Sequence, residues 1–413
     1  MIGNTMKEII YAIFLSFFLC GLCGNAEAKK KKEVKKAIKR EVQTPYDKLF
    51  KGKKAFTVNG LMKMHLMAGK VYAEFPIELL NRDLALTSSI KDISDNGEGV
   101  VGQFAGRVNQ FRFTLQDSML QARLVRRYGV KNTGMGKNAD QIIERSNTPG
   151  IFQSYKILAY TPDKKAVVVD MTELFLESSR LTNPFPSYAG NSLYGFVQRI
   201  HKFQSQRSEL LGICGNDNSM SVRCNLGFNV DRLVLGSFMQ AKDVPVSVTV
   251  NKILMLLPED PMRPRLADSR IGVNAIIQTE LPDVCQGIKT YYITKRWRIE
   301  PVDEIRYKQG EMVDVKKPIV FYIDTLMPDS WIKYVKAGAE AWNAAFEKIG
   351  LRNVVRTELF PKDSSFDAGD IHNSVIRYAP SWMYYPQYSM HTDPRTGEIL
   401  NASVYLPANV ASY

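Results

Sequence analysis

Pro318-Ile-Val-Phe-Tyr-Ile-Asp324 is the stretch that decides how the carboxyl-terminal part of this chain folds. Every residue between the proline and the aspartate is β-branched or aromatic, which is typical of a strand buried inside a sheet. Met327-Pro-Asp-Ser330 comes shortly after it. Proline and an acidic residue suit the first turn of a helix, where backbone N–H groups are unpaired and the helix dipole is positive. The two stretches together predict a strand that leads into a helix.

Apolar residues in the segment after Ser330 recur at steps of three, four and seven: Trp331, Val335, Trp342, Phe346 and Ile349. This spacing places them on one face of a helix. Gly350 is expected to end that helix, because glycine adopts a left-handed cap most easily.

Three further strands are expected beyond Gly350. Val354–Leu359 and Ser374–Tyr378 are rich in β-branched residues, and Asp393–Gly397 is a turn because it contains proline and glycine. Glu398–Leu406 alternates in side-chain character, which suits a half-buried strand near a sheet edge.

This order of elements resembles the upper half of a zincin-type metalloprotease domain. The chain is similar in particular to a family of large secreted bacterial zinc-dependent metalloproteases, in which a metzincin-like domain follows two domains of unknown function. The strings that carry the resemblance are Trp331…Tyr334-Val335…Gly338…Glu340-Ala-Trp342-Asn343-Ala-Ala-Phe346-Glu-Lys-Ile-Gly350 and Asp393-Pro-Arg-Thr-Gly-Glu-Ile-Leu400.

The resemblance extends upstream over nearly the whole mature chain. Tyr46–Phe50, Lys70–Pro76 and Leu79–Asp83 resemble the family's small N-terminal domain. Leu257–Arg265 and Lys295–Ile299 resemble what the family carries just before its catalytic domain.

The resemblance implies peptide-bond hydrolysis, zinc as cofactor and a peptide or protein as substrate. It also implies that an extended substrate pairs, through backbone hydrogen bonds, with the edge strand of the sheet. The strand expected in that role consists of Glu398, Ile399, Leu400, Asn401, Ala402, Ser403, Val404, Tyr405 and Leu406.

The zinc-binding motif of zincins has no counterpart in these 413 residues. Such a site needs two imidazoles four positions apart on a helix, with a glutamate between them that deprotonates the metal-bound water. None of the four histidines, at positions 65, 201, 372 and 391, is followed by glutamate or by a histidine four residues on. We therefore expect no zinc catalysis by this chain and assign no catalytic residue and no metal ligand.

Asp370, His372, His391 and Asp393 are the polar residues expected nearest to a cleft. We interpret His391, close to Asp393 and Pro394, as a turn residue rather than a metal ligand, since residues this close in sequence cannot supply a tetrahedral set alone.

The fold class expected is α+β, with β-rich amino-terminal domains (a sandwich or an open barrel) followed by the sheet-and-helix half of a zincin-like domain. Pairs of short strands with turns between them, such as the hairpin around Ala68-Gly69, support the β-rich part. The expected division is a signal peptide (1–28), a basic disordered linker (29–44), a small β domain (45–90), a β-rich domain of unknown function (91–300), a linker (301–317) and an incomplete zincin-like metallopeptidase domain (318–413).

The first residues have the pattern of a secretory signal. Lys7 supplies the positive charge, Ile9–Leu19 the apolar core, and Ala26-Glu-Ala28 the cleavage site after Ala28. We expect an exported protein (periplasmic, cell-surface or secreted) with no membrane span after signal removal. A lipoprotein anchored at Cys20 or Cys23 fits less well, because neither cysteine is preceded by the usual small residues after a leucine.

Lys29–Arg40 carries eight of the 55 basic residues, and with Glu33 and Glu41 its net charge is 8 − 2 = +6 of the overall +13. Such a run can bind nucleic acid or anionic lipid, or it can be a solvated linker. We favour the linker and expect no nucleic-acid partner, because no aromatic residues that could stack on bases interrupt the run.

Cys214, Cys224 and Cys285 remain after signal removal. Export makes disulfides available, and a Cys214–Cys224 bridge would close a small loop, leaving the third thiol unpaired. A zinc–thiolate site would need a Cys-x-x-Cys pair, which these cysteines do not form.

Two hypotheses for function follow. The first is the amino-terminal portion of an exported zinc-dependent metallopeptidase, inactive as these 413 residues. It predicts an exposed apolar face on or near Leu400, Val404 and Leu406, which invites aggregation. The alternative is a non-enzymatic, exported, β-rich binding or interaction protein derived from the same scaffold. A weaker third hypothesis makes the Lys-rich run primary, with nucleic acid as partner.

Overall fold

The computed structural model describes residues 43–104, 108–125, 130–131, 137–178, 181–185, 197–234, 238–280, 288–363, 366–381 and 386–412. The signal peptide with its cleavage site at Ala28, the Lys-rich run and Cys285 lie outside these residues. The chain forms two compact units, Met1–Lys53 and Lys54–Tyr413.

Helix α1 (Pro45–Phe50) is the described element of the first unit. It begins in a capping box, in which the Thr44 hydroxyl accepts a hydrogen bond from the Asp47 N–H and the Asp47 carboxylate accepts one from the Thr44 N–H.

The second unit is rich in strands, as the sequence predicts: among the residues that the structure describes, about half are in strands and 14% in helices. The first ten strands are β1 (Phe56–Val58), β2 (Lys63–Met67), β3 (Lys70–Pro76), β4 (Leu84–Ile93), β5 (Asn109–Gln116), β6 (Met119–Leu124), β7 (Val130–Lys131), β8 (Gly150–Lys156), β9 (Ala159–Tyr160) and β10 (Ala166–Asp170). The remaining strands are β11 (Val197–Asn216), β12 (Ser219–Val234), β13 (Phe238–Leu256), β14 (Ala275–Glu280), β15 (Lys289–Thr294), β16 (Val313–Asp314), β17 (Ile319–Ile323), β18 (Leu351–Arg352), β19 (Val355–Leu359), β20 (Ser374–Ala379), β21 (Gln387–Thr392) and β22 (Ile399–Pro407).

The described helices of this unit are short. They are α2 (Lys137–Ser146), α3 (Thr172–Leu176), α4 (Glu304–Lys308), α5 (Asp329–Glu340) and α6 (Asn343–Glu347), with single 3-10 turns at Ile77–Leu79 and Ala408–Ser412. None of the helices in the described ranges combines the length and the apolar character that a membrane span needs.

Two sheets share the main core. Sheet A has the strand order β1-β2-β3-β10-β9, and sheet B has the order β11-β12-β13-β4-β5-β6-β8. Apolar residues of both sheets form one cluster that includes Phe75, Phe111, Phe113 and Phe228, each of which is fully buried. The predicted hairpin is confirmed: Ala68 and Gly69 both have positive φ, as a tight two-residue turn requires.

The sheets do not follow the boundary that was expected at residue 90. β3 pairs with β10, about a hundred residues later in the chain, and β4 lies between β13 and β5 in sheet B. The strands of the two expected amino-terminal domains are therefore mixed, and one core serves both.

A separate five-stranded sheet, the C-terminal sheet, has the order β19-β17-β20-β22-β21. β17 is parallel to β19 and β20, and β20 is parallel to β22, whereas β21 is antiparallel to β22. The strands predicted from Pro318–Asp324, Val354–Leu359, Ser374–Tyr378 and Glu398–Leu406 are confirmed as β17, β19, β20 and β22.

The predicted helix between β17 and β19 forms, but as two pieces. α5 ends at Glu340 and α6 begins at Asn343, and Gly350 ends the region with the expected positive φ. Two of the predicted core residues are exposed, since 66% of Trp342 and 56% of Ile349 remain accessible to solvent. Trp331, Val335 and Phe346 are half-buried, so the single continuous apolar face was wrong.

Candidate functional site

β21 is the edge strand at one end of the C-terminal sheet, and it pairs antiparallel with β22. Within the described part of the chain, no strand pairs with its outer side. Unpaired N–H and C=O groups along an edge can accept another extended chain. Tyr388 on this strand is 63% exposed, whereas His391 and Thr392 are buried.

The edge predicted from the sequence was therefore the wrong strand. Glu398 precedes β22, and Ile399–Leu406 lie within it, between β20 on one side and β21 on the other. The sequence missed β21 because its polar residues Ser389 and His391 point to a buried face, which inverts the alternation by which strands are recognised.

β14 of the three-stranded sheet C (order β15-β14-β7) lies near the two ends of β21. The Asn274 amide N–H is 3.5 Å from the Tyr388 hydroxyl, and the Gln278 amide donates to the carbonyl of Pro394 at 3.0 Å. These are side-chain contacts, so they leave the backbone groups of β21 without a strand partner among the described residues.

Arg395 fixes the turn that joins β21 to β22. Its guanidinium forms a double ion pair with Asp393, whose side chain is fully buried. It also reaches Asp83 at 3.3 Å and donates to the carbonyl of Pro258 at 2.8 Å. Gly397 closes the turn with positive φ, and a Cβ there would collide with the carbonyl oxygen of Thr294.

An open cleft of about 420 Å³ lies beside this turn. Its lining residues are Asn81, Arg82, Asp83, Leu257, Pro258, Glu259 and Arg395. The charges of the cleft neutralise one another, because Arg82 pairs with Glu259 and Asp83 pairs with both Arg112 and Arg395. We call this network of ion pairs, formed by Arg82, Asp83, Arg112, Glu259 and Arg395, the ionic junction. No activated nucleophile or base is evident among the residues that line the cleft.

The pKa of Asp83 illustrates this junction. Burial of the carboxyl group opposes its ionisation, but hydrogen bonds from Arg112 and Gln110 and the charges of Arg112 and Arg395 outweigh that effect. The pKa therefore lies below the ordinary value, and the carboxylate stays charged.

The polar residues expected near a cleft are placed apart. His372 and Asp370 form a pair at the surface, with 2.8 Å between imidazole and carboxylate. Asp393 is occupied by Arg395. His391 is a fully buried strand residue, so its interpretation as a turn residue was wrong.

Zinc does not fit these residues. Across the described ranges, no group of three or more histidine, cysteine, aspartate or glutamate side chains is placed so that it could hold one metal ion. Thr87 and the ring of Phe104 surround His391, and Arg395 neutralises Asp393, so neither residue is arranged as a ligand.

The apolar face expected on β22 is divided between two clusters. Val404 and Leu406 are half-buried and pack with Ile323, Met327 and Ile376 beneath α5. α5 has no fully buried residue, so it covers this side of the sheet only in part. Leu400 instead packs with a cluster that contains Ala85 and Phe104, on the side of sheet B.

The Cys214–Cys224 disulfide is not formed in the structure, and both cysteines are free. In the β11–β12 ladder Cys214 stands opposite Ser221, and Cys224 stands opposite Leu210. Cys214 is exposed, while Cys224 is buried in the main core and donates to the carbonyl of Phe175 at 3.1 Å. The two thiols lie on opposite faces of the hairpin, so a bond between them would require the strands to slip or twist.

We expect iodoacetamide to label native Cys214 rapidly and Cys224 at least about 100-fold more slowly. Burial keeps the reagent away from the Cys224 thiol and raises its pKa to about 12, whereas Cys214 is exposed. Peptide mapping by mass spectrometry after timed alkylation at pH 8 measures both rates. Protection of both thiols until a reductant is added would show that they are bonded.

Two family models match the chain, and both describe domains of unknown function. Residues 43–93 match Domain of unknown function (DUF5118), and residues 102–302 match Domain of unknown function (DUF5117). No curated protein and no solved structure matches the chain. These comparisons therefore assign no activity to the chain.

Proposed function

We propose that this chain is the scaffold and peptide-binding portion of an exported zinc-dependent metallopeptidase, in which an extended peptide pairs with the outer side of β21. The observation that carries the proposal is the position of β21, which is the antiparallel edge strand of an otherwise parallel sheet. Backbone hydrogen bonds along such an edge recognise extended peptides without particular side chains.

The zincin-like character of the C-terminal sheet is part of this proposal. Supporting it are the crossover from β17 through α5 and α6 to the parallel strand β19, and the order of the strands that follow. The partly covered side of the sheet around Val404 and Leu406 is also what the resemblance leads us to expect. Without zinc ligands among the described residues, binding and not hydrolysis is the activity proposed for these 413 residues.

Binding of fluorescein-labelled β-casein, an extended polypeptide, tests the proposal by anisotropy and by gel. We expect the chain to bind it and to leave it uncleaved, with or without added Zn²⁺. Backbone N–H groups alternate between the two sides of a strand, so one of Tyr388→Pro and Ser389→Pro removes an outward donor and should weaken binding at least about tenfold.

Leu359→Pro in β19, at the opposite edge of the same sheet, is the matched control: its N–H points away from β17, since the next residue, Phe360, donates to Ile323 of β17, and the variant should bind casein as the unmodified chain does. Circular dichroism melts identify variants that fail to fold. Absence of casein binding would contradict the proposal, and cleavage in the presence of Zn²⁺ would contradict the absence of catalysis.

A non-enzymatic, exported binding protein is the second candidate, and the same edge strand supports it. The source transcript separates the two hypotheses. A frame that continues beyond codon 413 into His-Glu-x-x-His favours the peptidase portion, whereas a stop codon at that position favours the binding protein.

A further inference from the structure

The side chains of β4 contact two different parts of the molecule, because successive side chains of a strand point to opposite sides. Its even-numbered residues Leu84, Leu86 and Ile90 belong to the main core. Its odd-numbered residues face the C-terminal sheet and the loop before β20. We call this second contact the polar seam, formed on one side by Thr87, Ser89 and Lys91 of β4 and on the other by Asp367, Gly369, His391 and Tyr405.

Hydrogen bonds and the ion pairs of Asp367 with Lys91 and, at 3.7 Å, with Arg223 of β12 hold the polar seam together. The Ser89 hydroxyl donates to the carbonyl of Gly369 at 3.0 Å, and the Lys91 ammonium lies 2.9 Å from Asp367. The Tyr405 hydroxyl donates to the carbonyl of Gly102 at 2.9 Å. The apolar cluster beside these contacts has six buried residues, far fewer than the main core. Contacts of this polar kind allow two parts of a chain to move relative to each other.

His391 is the seam residue whose side-chain hydrogen bonding is incomplete. Its side chain is almost completely buried, and its Nε2 lies 3.0 Å from the Thr87 hydroxyl across the seam. Its Nδ1 has no hydrogen-bond partner, and the ring meets Phe104 edge-on at 4.4 Å between ring centres. The neutral imidazole tolerates this environment at moderate cost, because one ring nitrogen can remain without a proton.

Charged and titratable groups occur on each element that packs around His391: Lys91 on β4, Asp95 and Glu98 before Phe104, Asp393 after β21, and Glu398 and Tyr405 on the β22 side. Lys91 is paired with Asp367, and Asp393 with Arg395. Asp95 and Glu98 are both paired with Arg232.

The two remaining groups, Glu398 and Tyr405, do not pair with the imidazole either, because the Nδ1 of His391 has no hydrogen-bond partner and its Nε2 is bonded to Thr87. Burial is the influence that sets the pKa of His391, with no contribution from a neighbouring charge. A protonated His391 would therefore be a buried cation without a compensating anion.

We propose that His391 is an acid-sensitive latch: uptake of a proton by its imidazole opens the polar seam while the main core stays folded. Protonation turns Nδ1 into an N–H donor that has no acceptor, and it places a full charge in a site that excludes water. Both effects favour a state in which the ring reaches solvent.

The size of the effect follows from linkage. Burial lowers the pKa of His391 from 6.5 to about 4 in the closed state, and the ordinary value returns when the seam opens. Between these two values the open state binds more protons, so the closed state is lost as the pH falls through this window. At pH 5 the ratio of closed to open molecules should be about 30-fold lower than at pH 8.

Asp367 works in the same direction at more acid pH. Burial opposes its ionisation, but the hydrogen bonds from Lys91 and from the Gly369 N–H outweigh burial and hold its pKa below the ordinary value. The ionised Asp367 carboxylate stabilises the closed state above the ordinary aspartate pKa. This stabilisation is lost as the pH falls through the lowered pKa of Asp367.

Hydrogen exchange followed by mass spectrometry at pH 8 and pH 5, corrected for intrinsic rates, tests the latch on the full chain. In the unmodified protein we expect the opening constant of β21 and β22 to rise about 30-fold at pH 5, while β12 in the main core stays protected. His391→Gln keeps an amide within reach of Thr87 but does not titrate, so its opening constant should be nearly independent of pH over this range.

His372→Gln, at the exposed histidine of the same sheet, is the matched control and should behave as the unmodified protein. The latch is excluded if His391→Gln opens with the same pH dependence as the unmodified chain, or if β12 loses protection together with β21. If His391→Gln fails to fold, an NMR titration of the unmodified protein decides: an imidazole pKa of His391 near 4 supports the latch, and a value near 6.5 overturns it.

Discussion

Replacing Arg395 by alanine should lower the free energy of unfolding by about 3–5 kcal/mol. The substitution leaves the fully buried carboxylate of Asp393 without its cation and removes the contacts to Asp83 and to the carbonyl of Pro258. Removing one member of a buried ion pair is costly because the remaining charge has neither water nor a counter-charge, and here the Asp393 carboxylate keeps the hydrogen bond from the backbone N–H of residue 395 but loses the guanidinium. Urea denaturation at pH 7, with tryptophan fluorescence as the probe, measures the loss.

Arg270→Ala is the matched control for this prediction. Asp268-Ser-Arg270 has the same spacing as Asp393-Pro-Arg395. The Nε and Nη2 groups of Arg270 likewise donate hydrogen bonds to the carboxylate of Asp268. The Arg270 side chain is 87% exposed, so water replaces the lost contacts and no measurable change in stability is expected. Equal losses in the two variants would show that burial is not what makes the Arg395 pair important.

Lys252 should make stability rise between pH 8 and pH 10.5. The residue is fully buried in the middle of β13, where its ammonium donates to the carbonyl of Glu177 and lies 3.3 Å from the Thr182 hydroxyl. Burial lowers its pKa from 10.5 to about 8. In this window the folded state releases the proton before the unfolded state does, so the cost of burying the charge, about 3 kcal/mol, disappears as the pH rises.

Cys224 titrates in an overlapping range, so Lys252→Met is compared in a Cys224→Ala background. The difference in unfolding free energy between Cys224→Ala and Cys224→Ala/Lys252→Met should move by about 3 kcal/mol in favour of the lysine-containing protein between pH 7.5 and pH 10.5. Cys224 raises the pKa of Lys252, so its removal does not weaken the effect. A difference that stays constant over this range would show that the buried lysine keeps its ordinary pKa.

The sequence was informative wherever burial is apolar. β17 was predicted because Ile319–Ile323 are all β-branched or aromatic, and β19 and β20 were predicted because their stretches are rich in β-branched residues. It was uninformative about β21, because Ser389 and His391 face a polar interface and therefore look like surface residues. Missing that strand also misassigned the edge of the sheet, since β22 appeared to be the last strand.

The ionic junction at Arg395 could be predicted only in part. The Asp-x-Arg spacing indicates a local pair, yet Asp268 and Arg270 have the same spacing and form an exposed one. What distinguishes the two is tertiary contact, since Asp83 lies 312 residues away in sequence from Arg395. Contacts over such a separation leave no periodic signal in a single sequence.

Hydrogen exchange of the chain with and without unlabelled β-casein tests most directly whether β21 is the peptide-binding edge. The amides of Gln387–Thr392 should exchange at least about tenfold more slowly when casein is bound, and those of Val355–Leu359 at the opposite edge should not change. Bound casein that leaves β21 unprotected, or that protects β19 instead, would contradict the assignment.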